Sequence, residues 1–66
     1  MKMKINKDKV HVFMARKEMT LKDLANEYGC TVQYINATLT RGTARPATIG
    51  KIARILGCDV TEIIDL

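Results

Sequence analysis

The chain has no serine and no tryptophan, and only one histidine (His11), one proline (Pro46), one phenylalanine and two cysteines in 66 residues. Without serine there is no serine nucleophile. A metal site would have to join His11, Cys30 and Cys58 to carboxylates in none of the usual ligand spacings. Cys30 with His11 is the only nucleophile and base that can be named, and the pairing is arbitrary, so the chain does not read as an enzyme. Two cysteines are too few for a disulfide framework, and the N-terminal MKMKINKDKV has no apolar signal-peptide core. The expectation is two free, buried thiols acting as small hydrophobes. No run approaches the ~18 apolar residues of a membrane span. The sequence therefore reads as that of a soluble, cytoplasmic protein without a membrane partner, cofactor or small-molecule ligand.

A further absence concerns charge. Residues 31–54 hold Arg41, Arg45, Lys51 and Arg54 but no acid, whereas seven basic and four acidic groups in 1–30 are balanced by three acids without a base in 55–66. The net charge of +4 thus equals that of the central stretch. A segment free of carboxylates approaches a phosphate backbone without like-charge repulsion, and each cation that meets a phosphate releases counterions.

Within and just before this stretch lies the most informative pattern, Thr20–Gly42 (TLKDLANEYGCTVQYINATLTRG). Leu21, Leu24, Ala25 and Tyr28 recur at helical spacing, Thr20 stands as N-cap with Asp23 three residues on, and Gly29 closes the helix. Thr31 caps a second helix running towards Gly42. Its inward residues are Ile35 with Thr38 or Leu39, which leaves Val32, Gln33, Asn36 and Ala37 to face outward. Short uncharged side chains at the front of a helix suit base edges in a major groove.

The flanks read as helices too. Asn6 caps a first helix of about ten residues, with Ile5 and Val10 as a hydrophobic staple and Val10, Phe13, Met14 and the Lys17 stem on one face. The Met1–Ile5 alternation fits a frayed terminus better than an edge strand. After a short basic loop, Pro46 opens a helix whose Ile49, Ile52, Ala53 and Leu56 form the buried stripe. Gly50 within it predicts a close backbone approach. Asp59 and Glu62 form a capping box for a final helix carrying Val60, Ile63 and Ile64. The expected fold class is all-α, five short helices with no room for a sheet. A domain this small buries only about 60% of its unfolded surface, so a homodimer is expected, and Ile63, Ile64 and Leu66 either form its contact or pack onto the domain's own core.

These residues resemble the lambda-repressor-like DNA-binding domains of the Cro/repressor, or XRE, type. The likeness is carried by Met19-Thr20, Leu24-Ala25, Gly29-Cys30-Thr31, Ile35, Gly42, Pro46 and the run Lys51–Cys58. It covers residues 7–64, with the helix-turn-helix at about 20–40 and residues 1–6 as a short extension. The resemblance implies a sequence-specific transcriptional regulator, repressor or Cro-like, of phage or mobile-element kind, with double-stranded DNA as partner. The third helix would lie in the major groove. Val32, Gln33, Asn36 and Ala37 would then face bases, Thr31 a phosphate, and Arg41, Thr43 and Arg45 the backbone. Tyr34 would pack on the sugar-phosphate edge or fill the core. Leu21 replaces a glutamine that commonly anchors phosphate, leaving Lys22 for that contact. Met14 and Leu39 stand where many members pair a buried arginine with a glutamate. Losing both charges together is coherent, because losing one would strand the other. Leu21 also raises an alternative, a protein-interaction module of the same fold, antitoxin-like or an assembly partner.

Overall fold

The computed structural model describes residues 1–65. Strand β1 (Met3–Ile5) is followed by α1 (Lys7–Arg16), α2 (Leu21–Tyr28), α3 (Val32–Arg41), β2 (Thr43–Ala44) and α4 (Pro46–Leu56). A single 3₁₀ turn (Val60–Glu62) and β3 (Ile64–Asp65) complete the order. Among the described residues the fold is mostly helical, with four α-helices and a small antiparallel sheet, which corrects the all-α, five-helix expectation.

The helix boundaries follow the caps. Asn6 Oδ1 accepts from the Lys9 N–H at 3.0 Å. At α2, the Asp23 N–H donates to Thr20 Oγ1 at 3.1 Å while the Thr20 N–H donates to Asp23 Oδ2 at 2.9 Å. Gly29 ends α2 at φ 91°, a left-handed conformation that a β-carbon penalises. Gly50 is different: a β-carbon there would meet nothing within 4 Å, so the expected close backbone approach is absent.

The sheet has the order β2-β1-β3. The stretch read as a frayed terminus is therefore its central strand. Met3 pairs with Ala44 and Lys4 with Thr43 on one edge, and Lys4 pairs with Asp65 and Ile5 with Ile64 on the other. The alternation of Met3, Lys4 and Ile5 is half-buried, exposed and buried, the period of a strand covered on one face.

At the C-terminus the Asp59 N–H donates to Glu62 Oε2 at 2.9 Å, as the capping-box pattern predicts. The helix it opens stops after one 3₁₀ turn, because the Ile63 carbonyl accepts from the Asn6 N–H at 2.8 Å and Ile64 joins the sheet. Ile63 and Ile64 are 0% and 5% exposed. Both belong to the chain's own core, the second of the two placements expected for them rather than a dimer contact; Leu66 lies outside the described residues. The same core takes in Val10, Met14, Leu24, Ile35, Leu39, Ile49, Ile52 and Leu56. Met14 and Leu39 thus fill the interior as apolar groups, and Leu21 packs half-buried against it. Lys17 extends to the end of α4, where its Nζ donates to the Ile55 carbonyl at 3.0 Å, a cation at a helix C-terminus.

Candidate nucleic-acid interface

Helix α3 begins three residues after Gly29. The Gly29 and Cys30 N–H groups both donate to the Ala25 carbonyl, at 2.8 and 3.0 Å, which turns the chain sharply out of α2. Thr31 then caps α3, its Oγ1 accepting from the Tyr34 N–H at 3.1 Å. Ile35, Thr38 and Leu39 are all buried, so the inward face takes both of the alternatives left open by spacing. Thr38 is the one polar member, and its hydroxyl donates to the Tyr34 carbonyl at 2.9 Å.

The opposite face of α3 is exposed: Thr31, Val32, Gln33, Tyr34, Asn36 and Ala37 all lie on it. The side-chain hydrogen bonds of this helix and its cap are those of Thr31, Thr38 and Arg41, which leaves the amides of Gln33 and Asn36 unengaged among the described residues. Tyr34 is 44% exposed, so it does not fill the core. Its ring centroid lies 6.0 Å from that of Tyr28, and the Lys51 ammonium sits 4.4 Å from the Tyr28 centroid. Two aromatic rings and a cation thereby brace the base of the presenting helix.

Beside α3 opens a cleft of about 340 Å³ lined by Lys2, Tyr34, Arg41, Ala44, Arg45 and Thr48. Three elements build it. Tyr34 and Arg41 come from α3, and Arg41 is steadied by its Nε, which donates to the Thr43 carbonyl at 3.3 Å. Arg45 precedes Pro46 at the start of α4, a helix end without a side-chain cap, so its first N–H groups and the dipole favour an anion. Lys2 comes from the N-terminus. Thr43 contributes to β2 and holds Arg41, and neither it nor Lys22, exposed in the first turn of α2, lines the cleft. Sequence reading missed Lys2 because it treated residues 1–6 as an extension; the signal was the Met1–Ile5 alternation.

A larger groove of about 700 Å³ is lined by Lys17, Glu18, Met19, Asp23, Asn26, Glu27 and Ile55, and shares no residue with the cationic cleft. Three carboxylates thus stand together, away from α3. Desolvation pushes the Cys30 thiol up against the opposing pull of Lys51, and desolvation followed by Glu62 and Asp59 does the same to Cys58. Both cysteines are half-buried, less enclosed than expected. No helix among the described residues is long and apolar enough to cross a membrane.

A short turn that delivers one helix with its polar face unengaged, beside a cleft of cations, is the arrangement of a DNA-binding regulator. No curated protein and no solved structure matches the chain. Compared with known families, residues 9–66 match the Cro/C1-type HTH DNA-binding domain, and the chain belongs to that family.

Proposed function

We propose that this protein is a sequence-specific transcriptional regulator, of the repressor or Cro kind found in phages and mobile elements, that reads duplex DNA with α3 in the major groove. The observation that carries this reading is the exposed, unengaged Gln33 and Asn36 beside Arg41 and Arg45. Gln33 would pair both amide groups with an adenine, worth ~1–3 kcal/mol of discrimination, and Val32 or Ala37 would meet a thymine methyl. Thr31, Arg41, Thr43, Arg45 and Lys22 would position the duplex rather than specify its sequence. Tyr34 packs on the sugar-phosphate edge in this reading. Two copies would read half-sites about 34 Å apart, joined by a surface other than the buried Ile63 and Ile64.

Selection of bound duplexes from a random pool, followed by titration of Gln33→Ala and Arg45→Ala at fixed salt, tests this. Gln33→Ala is expected to relax preference at one or two base positions. Arg45→Ala is expected to weaken every sequence alike and to flatten the salt dependence. A pool that enriches no sequence, or binding indifferent to salt, would turn the reading towards a protein-interaction module.

A further inference from the structure

Lys2 lies outside the helix-turn-helix, yet the sheet fixes it beside Arg41 and Arg45. Met3 stands opposite Ala44 in an antiparallel pair, so Lys2 falls level with Arg45 one step along the same register. Lys4, on the same side of the strand, stands opposite Asp65 on the far edge. Among the described residues, the cleft that Lys2 lines with Tyr34, Arg41, Ala44, Arg45 and Thr48 contains no carboxylate. Three cations gathered in one concave site repel one another until an anion enters.

We propose that Lys2 is a backbone-phosphate ligand of the duplex, making the N-terminal strand part of the DNA-contacting surface. This rests on the duplex-binding reading above. The anion is a phosphodiester of bound DNA rather than a free phosphate, because Tyr34 and Arg41 belong to α3 itself and make the cleft continuous with its exposed face. Arg41 and Arg45 offer planar guanidinium forks, and Lys2 adds a compact charge with freely turning donors. The ladder between β1 and β2 places that charge in advance, so little chain ordering accompanies contact.

Titration of a mixed-sequence duplex over a range of salt separates this role from general positive charge. Each phosphate contact contributes about 0.9 to the slope of log K against log salt, so Lys2→Gln should lower the slope by about that amount. Between about 50 and 200 mM salt the variant should then lose roughly threefold less affinity than the unaltered chain. Lys2→Arg should restore the slope. Lys7→Gln, the same charge change at an exposed site outside the cleft, should leave the slope unchanged, and circular dichroism melts should show both variants folded. If the unaltered chain binds with a salt-dependent slope and Lys2→Gln keeps it, or if Lys7→Gln lowers it equally, the role of Lys2 is overturned and the duplex-binding reading stands. Absence of salt-dependent binding by the unaltered chain overturns both.

Discussion

Gly29 and Gly50 differ wholly in what holds them. Gly29 takes φ 91° to end α2, a conformation that penalises any β-carbon. Gly50 sits inside α4 with nothing within 4 Å of where a β-carbon would be. A glycine in a helix interior costs about 1 kcal/mol relative to alanine. Gly50→Ala is therefore expected to stabilise the fold by up to about 1 kcal/mol, read as a higher urea midpoint with unchanged slope. The end of a helix at Gly29 was legible from sequence because a cap followed at Thr31. The free space around Gly50 was not, since spacing along one helix does not tell what lies across from it. Tyr34 was undecided between core and surface for the same reason, and its 44% exposure settles its placement.

At the scale of elements, caps carried most of what the sequence foretold. Asn6, Thr20 and Thr31 each accept the expected backbone N–H, and α1, α2 and α3 begin where those residues stand. The cap of α2 also has a pH signature. The Thr20 N–H and then the Thr20 hydroxyl hold the Asp23 carboxyl below its ordinary value of 3.8. A group with a depressed folded pKa contributes stability that is fully present above the unfolded value and is lost as pH falls through the folded one. Asp59, held down by the Thr61 hydroxyl and backbone, acts in the same direction. Thermal midpoints should therefore drop below about pH 4, and Asp23→Asn should make that drop shallower while lowering the midpoint at neutral pH. An unchanged acid limb in Asp23→Asn would show that the capping box does not contribute. The last capping box marks the opposite case. Asp59 and Glu62 announce a helix start, yet only one 3₁₀ turn forms, because burial of Ile63 and pairing of Ile64 with Ile5 outweigh further helical turns.

Across the whole molecule, the sheet ties the two chain ends together and sets part of the candidate interface. Ile5, 3% exposed, occupies the central strand. Ile5→Ala should destabilise by about 2–5 kcal/mol, a large share of the roughly 5–15 kcal/mol of a typical domain. Deleting residues 1–5, which removes the middle of the sheet, should abolish cooperative thermal unfolding; a deleted chain that melts as the full one does would refute the central role of β1. The sequence by itself determined the helix-turn-helix, the outward face of α3 and the acid-free cationic stretch, because caps, helical periodicity and charge are local properties. Only the tertiary structure decided that Met3–Ile5 is a central strand, that Ile63 and Ile64 are buried, and that Lys2 joins Arg41 and Arg45. Those outcomes depend on pairing between residues some forty to sixty positions apart, and strands of two or three residues carry too short a pattern to announce their partners.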